Sequence, residues 1–362
     1  MTQDAVNVAQ LPEFDEIVDV RTPSEFELDH IPGAINCPVL SDVERAAVGT
    51  MHAQESSFAA KKTGAALVAR NIASHIENAF ATKPKKWRPL IYCWRGGQRS
   101  ASMTIVLRQI GWDARKLAGG YKSFRRHVVA EIDRQVPDIS FRVVCGLTGA
   151  GKSALLRGLQ GSDAQVIDLE KLAAHRGSVL GNLPEEPQPS QKMFESRIWH
   201  ALRGIDSSLP VYVEAESRRI GNLRVPDSLI NTMRGSPCIQ LVASAPARVA
   251  LLLREYVHFT QALTDLFVKL DCLTELHGRN RIERWKELAR QGDWEAFVRE
   301  LLEDHYDPAY RKSSFSNYPQ LENALQIPVD YGTQEEFANI AHTLLENYSG
   351  ATEMTEHAVL NS

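Results

Sequence analysis

Phe141-Arg142-Val143-Val144-Cys145-Gly146-Leu147-Thr148-Gly149-Ala150-Gly151-Lys152-Ser153, continued by ALLRGLQ (154–160), decides the fold of the second half of the chain. An apolar run of strand length, FRVVCGL (141–147), enters a glycine loop, and SALLRGLQ (153–160) leaves it with helical spacing. Gly146 to Ser153 fit G-x-x-x-x-G-K-[ST], with the strand before and the helix after that this pattern requires. The glycines let the main chain wrap a phosphate, the loop N–H groups and helix N-terminus bind it, Lys152 neutralises it and Ser153 can ligate magnesium. The expected ligand is therefore a phosphate or diphosphate held by Gly146, Thr148, Gly149, Ala150, Gly151, Lys152 and Ser153.

Outward from this loop, VIDL (166–169), VYVEAE (211–216) and CIQLVA (238–243) read as further strands, which predicts a parallel α/β sheet. From about residue 248 to 305 charge and helical period take over, giving that domain a helical C-terminal part. An ATPase of this type adds an apolar strand ending in a magnesium-binding Asp. The candidates are Asp168, Glu214 and Glu216, none a clean match, and a helix cap or surface ion pair would explain each equally well.

The first half has its own alternation: EIVDV (16–20) as strand, an amphipathic stretch near 58–80, PLIYC (89–93) as strand, then SASMTIVLRQIGW (100–112) as helix. KSFRRHVVAEIDRQVP (122–137) carries helical spacing stopped by Pro137, placing a connecting helix and the domain boundary there. The expected domains are 12–136 and 137–350. A chain of 362 residues that is 43% hydrophobic has material for two such cores.

Cys93 closes PLIYC and is followed by Trp94, Arg95, Gly96, Gly97, Gln98 and Arg99 before a helix begins. Such a loop curls its N–H groups around the sulfur, and with the helix dipole these favour the thiolate, the nucleophilic form. The same cradle fits an oxyanion, onto which Arg99 can fork two hydrogen bonds. The competing explanation is a buried apolar cysteine ending a core strand. Cys37, Cys145, Cys238 and Cys272 lack a comparable setting and read as structural.

Five scattered cysteines make neither a disulfide framework nor a zinc spacing, and no metal site is expected. The opening MTQDAVNVAQLPEFDE has no apolar leader core, and nowhere do eighteen apolar residues run together, so a soluble cytoplasmic chain without membrane contact is expected. A formal charge of −4 does not announce a nucleic-acid binder, and any RNA contact must use local basic patches. A monomer is the working expectation, the sequence being silent on assembly.

DVRTPSEFELDHIPGAINCPV (19–39), with Asp19, Arg21, Glu25, Phe26 and His30-Ile31-Pro32-Gly33-Ala34, resembles the opening of the rhodanese family, and together with Cys93 the likeness covers residues 12–135. It implies that Cys93 carries sulfur or selenium. Five residues separate Cys93 from Arg99 where the common sulfurtransferase loop has four. The wider loop resembles the phosphatase-type branch and keeps phosphate hydrolysis open as an activity.

A rhodanese-like domain followed by a P-loop domain resembles the tRNA 2-selenouridine synthase family across nearly the whole chain, through CWRGGQRS, GLTGAGKS, DLEKLAAHRGSVLG (168–181) and VEAESRRIG (213–221). The resemblance implies replacement of the sulfur of wobble-position 2-thiouridine in tRNA by selenium from selenophosphate, through an S-geranylated intermediate made from geranyl diphosphate. It makes Cys93 and Arg99 catalytic, brings Asp168, His175, Arg176, Glu216, Arg218 and Arg219 forward as further site candidates, and requires no tightly bound cofactor, with magnesium a candidate.

For tRNA, basic clusters occur at Lys83, Lys85, Lys86 and Arg88, at Arg125-Arg126, at Arg218-Arg219 and along HGRNRIERWKELAR (277–290), which holds Arg279, Arg281, Arg284 and Lys286. Trp87, Trp94 and Trp285 lie among these charges as candidate stacking platforms. LIYCW or the apolar stretch 249–273 would line a channel for a geranyl chain, although plain core explains most of those residues. A small-molecule kinase with a rhodanese appendage and a non-catalytic phosphate-sensing scaffold are the two other function classes.

Overall fold

The computed structural model describes residues 5–178, 180–181, 186–255, 263–310 and 317–348. Val179 of the 168–181 motif, the 256–262 part of the apolar stretch 249–273 and the tail beyond 348 lie outside the described residues. The chain divides into two compact units, one running to Arg134 and taking in Pro189–Arg203, the other holding Gln135–Gln188 and the chain from Gly204 onward.

The first unit is a five-stranded parallel sheet built from β1 (Ala5–Val6), β2 (Glu16–Asp19), β3 (Ile35–Asn36), β4 (Pro89–Tyr92) and β5 (Arg115–Leu117), in the order β1-β5-β4-β2-β3. All four β4 residues are buried, as expected of a central parallel strand covered on both faces, and this is why PLIYC reads as one apolar run. Val18, Ile91, Met103, Leu107, Phe80 and Trp87 form one core cluster around it. Cys93 follows the carboxyl end of β4, the sheet edge where α/β proteins place their ligands.

The units part after Arg134, and the first unit also takes in an excursion beyond the expected boundary near Pro137. Helix Gln191–Leu202, capped by Ser190 Oγ accepting from Met193 N at 3.1 Å, belongs to the first unit. Its Phe194, Ile198, Trp199 and Leu202 are buried, Trp199 meets Phe124 edge-on at 5.3 Å, and Arg125 pairs with Glu195 and donates to Ser196 Oγ at 3.0 Å. The Arg125 expected to contact RNA is thereby occupied.

The second unit is another five-stranded parallel sheet, from β6 (Phe141–Cys145), β7 (Gln165–Ile167), β8 (Val211–Glu214), β11 (Cys238–Ala243) and β12 (Leu325–Val329), in the order β12-β11-β6-β8-β7. β9 (Arg219–Ile220) and β10 (Leu223–Arg224) form a separate antiparallel pair. Both sheets agree with the expected α/β fold class. Val144, Leu155, Leu159, Tyr212, Leu241, Phe337 and Ala341 knit helix Lys152–Gly161 and the final helix Gln334–Tyr348 onto this sheet. The expected helical part is present as a satellite core around Trp285, with Leu266, Leu270, Ile282, Phe297 and Leu301. Among the described residues no helix is long and apolar enough to cross a membrane.

Candidate functional site

Two sites emerge, each at the carboxyl edge of its own sheet. In the first, the loop after Cys93 is pinned by backbone: Tyr121 N donates to the Cys93 carbonyl at 2.9 Å and Lys122 N to the Trp94 carbonyl at 3.1 Å. Gly120 has φ +56°, and a Cβ there would lie 2.2 Å from Cys93 O and 2.4 Å from Gly96 N, so only glycine fits. Gly97 caps helix Gln98–Ile110, and Ser100 in its first turn brings Oγ to 3.2 Å from Cys93 Sγ. The sulfur is recessed, with Cys93 3% exposed.

Arg99 departs from expectation. Its guanidinium is turned onto Glu25, at 2.7 and 3.4 Å, so the fork foreseen for an anion already holds a carboxylate. Burial alone would push Glu25 up, yet the Arg99 hydrogen bond and charge bring it below the usual carboxylate range. Trp94 stacks on Tyr121 with centroids 5.1 Å apart, while Arg95 and Gln98 are exposed beside Gly96 and Gly97. Asp19 and Arg21 of the N-terminal motif form a buried pair at 2.6 Å under Tyr121, whose ring lies 4.0 Å from the guanidinium; they brace the loop from below.

The second site is a cavity of about 670 Å³ lined by Thr148, Gly149, Gly151, Lys152 and Ser153 and walled by Asp168, Glu170, His175, Arg176 and Glu216. Lys152 Nζ donates to the Gly146 carbonyl at 3.1 Å, and Ser153 Oγ donates to Glu170 Oε2 at 2.9 Å. Glu170 N donates to Glu214 Oε1 at 2.7 Å, bringing three carboxyl side chains together behind the loop with Glu216. Burial raises Asp168, Glu170 and Glu214 above the ordinary carboxyl range, and neighbouring carboxylates add to the effect for Glu170 and Glu214. Glu216, raised by burial and then by the charge of Glu170, reaches about 8 and holds its proton at neutral pH. Among the described residues no group of three or more His, Cys, Asp or Glu is arranged to hold a metal ion.

Asp168 also acts as the helix cap considered for it, accepting from Lys171 N at 2.8 Å. His175 is buried, its Nδ1 accepting from Gly177 N at 3.1 Å, and Arg176 donates to the Glu255 carbonyl at 3.0 Å; both still line the cavity. Arg218 and Arg219 do not. They are exposed at the β9 hairpin, Arg218 paired with Asp227 at 3.1 Å, because the chain turns outward after Ser217. Glu170 went unnoticed in the sequence although it sits two residues beyond Asp168, where a one-turn helix puts it behind Ser153.

The basic helix is corrected most. In helix Arg279–Gln291, Trp285 is fully buried, and Trp87 is buried in the first unit's core, so neither ring can stack on a base. Lys286 is buried against Asp271 at 2.6 Å, Arg284 pairs with Glu300 at 3.2 Å and Arg281 with Asp304; Arg279 is exposed at the helix start. Most of the acids that neutralise this row, Asp271, Glu300 and Asp304, lie outside the helix, with Glu283 the in-helix partner of Lys286. Lys83 and Arg88 likewise meet Glu16 at 2.8 Å and Asp113 at 3.5 Å. Leu90, Ile91 and Tyr92 are core rather than channel, as are Leu266, Leu270 and Leu273, whereas Leu251 and Leu252 give the cavity an apolar wall.

Fold and sites together define a rhodanese-like cysteine loop joined in one chain to a P-loop domain. Residues 4–127 match the rhodanese-like domain family and residues 139–290 the family described as the tRNA 2-selenouridine synthase AAA domain. The chain is 37% identical over 245 residues to the tRNA 2-selenouridine synthase of Nitrosomonas europaea, covering 67% of this chain and 63% of that one. It is 31% identical over 326 residues to the synthase of Marinobacter nauticus and 33% over 326 to that of Pseudomonas fluorescens, each time over 81% of this chain and 87% of the relative. Matches to the Nitrosomonas europaea and Bdellovibrio bacteriovorus proteins span 63% and 64% of their length, just under two thirds. The chain belongs to the tRNA 2-selenouridine synthase family.

Proposed function

We propose that this chain is a tRNA 2-selenouridine synthase, a selenotransferase with geranyltransferase activity. It exchanges the sulfur of wobble-position 2-thiouridine for selenium from selenophosphate through S-geranyl-2-thiouridine made from geranyl diphosphate. The observation that carries the reading is the pairing, in one chain, of a glycine-loop cysteine with a P-loop cavity that has an apolar wall at Leu251 and Leu252. Alkylating the thiocarbonyl sulfur makes it a better leaving group, which a selenium nucleophile then displaces. In the first step the sulfur bonds to the geranyl carbon and pyrophosphate departs onto Lys152 and the loop amides. In the second, selenophosphate positioned by Cys93 attacks the C2 carbon through its selenium, the C–S bond breaks and geranylthiol leaves, and hydrolysis of the P–Se bond releases phosphate.

Substrates, rather than a tightly bound cofactor, supply the chemistry. Ser153 Oγ and Glu170 Oε2 are oxygen donors of the kind magnesium takes, and they would hold it beside the diphosphate. Partners are a 2-thiouridine-containing tRNA anticodon, selenophosphate and geranyl diphosphate, with the protein acting in the cytoplasm as a monomer. The test is mass analysis of nucleosides from 2-thiouridine tRNA incubated with both small substrates. Wild type is expected to yield 2-selenouridine, Cys93→Ser to stall at the thio- or geranylthio-nucleoside, and Lys152→Ala to leave 2-thiouridine. Unchanged nucleoside with wild type overturns the reading.

A further inference from the structure

The P-loop is held from outside its own motif by residues that no part of the sequence pattern names. Arg248, on helix Ala245–Glu255, is 4% exposed and wholly engaged. Its Nε donates to the Thr148 carbonyl at 2.8 Å, and its two terminal nitrogens donate to the carboxylate of Asp307 at 2.6 and 3.0 Å. The same helix abuts the next residue: a Cβ on Gly149, at φ +79°, would lie 3.1 Å from the Arg248 carbonyl and 2.9 Å from Leu252. Asp307 follows directly on a π-helical stretch, Leu302–Tyr306, and Tyr310, one turn further, accepts a hydrogen bond from Gly146 N at 2.9 Å.

The peptide between Thr148 and Gly149 is planar and trans, so its carbonyl and its N–H point opposite ways. A carbonyl drawn out to Arg248, which does not line the cavity, turns the N–H of Gly149, which does, the other way. Were that peptide to flip, a carbonyl dipole would face the anion where a donor had been, exchanging attraction for repulsion. Arg248 needs Asp307 for this work, because an unpaired buried guanidinium would not stay in place. The wider π turn sets the phase that brings both Asp307 and Tyr310 onto the loop, an irregularity of the kind that marks functional positions.

We propose that Arg248 and Asp307 are positioning residues that fix the 148–149 peptide in its anion-accepting orientation. The proposal rests on the reading of the P-loop as a diphosphate site and assigns that site's conformation to a pair outside the motif. It is tested by titrating inorganic pyrophosphate calorimetrically into full-length wild type, Lys152→Ala, Arg248→Lys and Asp307→Asn, with each variant's melting temperature and Cys93 alkylation rate measured alongside.

Arg248→Lys keeps the charge but cannot bridge two acceptors in a plane. It is expected to weaken pyrophosphate about 10- to 100-fold, the range of a lost charged hydrogen bond, while alkylation of Cys93 is unchanged. Asp307→Asn, which leaves the arginine in place but releases its partner, should weaken binding in the same direction. If both variants melt earlier yet the folded protein binds pyrophosphate as wild type does, the pair is a structural tie and the proposal is overturned. If Lys152→Ala weakens binding and neither Arg248→Lys nor Asp307→Asn does, the proposal fails while the diphosphate site stands. If wild type binds no pyrophosphate, the diphosphate reading itself fails and takes the proposal with it.

Discussion

Glu216 offers a direct way to weigh the buried acids behind the P-loop. Its carboxyl, 8% exposed, rises from an ordinary 4.5 to about 8 in the folded protein. Between those two pH values the folded chain holds a proton that the unfolded chain has lost, so stability falls as pH rises through the window and is fully present below it. Each pH unit is worth about 1.4 kcal/mol, and the whole window about 5 kcal/mol as an upper bound. Glu214, Glu170 and Asp168 are shifted the same way, so the comparison with a variant isolates the single group. Glu216→Gln keeps the shape and removes the titration. Calorimetric unfolding at pH 5, 7 and 8.5 should show wild type losing about 2–4 kcal/mol more than the variant across the range. Parallel curves for the two proteins would refute the claim that Glu216 is protonated at neutral pH.

Gly120→Ala should cost roughly 3 kcal/mol or more, strain at φ +56° adding to overlap with the Cys93 carbonyl, and should disturb Cys93 alkylation; Gly97→Ala, with open space around its Cβ, should not; equal melting temperatures would contradict this. His305, lowered by burial and then by His277 3.0 Å away, takes up its proton less readily in the folded than in the unfolded chain, so wild type should lose stability as pH falls below 6.5 and His305→Asn should lose less, as read by urea unfolding. Glu25→Gln should free the Arg99 fork and let phosphate protect Cys93 from alkylation at several-fold lower concentration than in wild type, unless Arg99 has no access to the loop.

Much of this molecule was legible because local rules agree with the fold. FRVVC, the glycine loop and SALLRGLQ became β6, the loop and helix Lys152–Gly161, and CIQLVA became β11 residue for residue. The short edge strands β1 and β3 and the late strand β12 were not legible, since two-residue strands carry no periodicity and β12 is defined by pairing with β11 across distant sequence. Helix Gln191–Leu202 has a clear cap at Ser190, but its unit is set by the fit of Trp199 on Phe124, which sequence order hides. At the sites, motif residues were found and their supports were not: Glu170, Arg248, Asp307 and Tyr310 act through contacts across 17 to 164 positions of chain. The basic helix misled for the same reason, because charge density along a sequence does not reveal the acids facing it.

The division of labour between the two sites can be separated by supplying the intermediate. tRNA already carrying S-geranyl-2-thiouridine would be given selenophosphate and either Lys152→Ala or Cys93→Ser, and its nucleosides analysed by mass. Lys152→Ala, unable to geranylate, is expected to convert this substrate to 2-selenouridine, while Cys93→Ser leaves it unchanged. Conversion by Cys93→Ser, or failure of both the wild type and Lys152→Ala, would contradict that division.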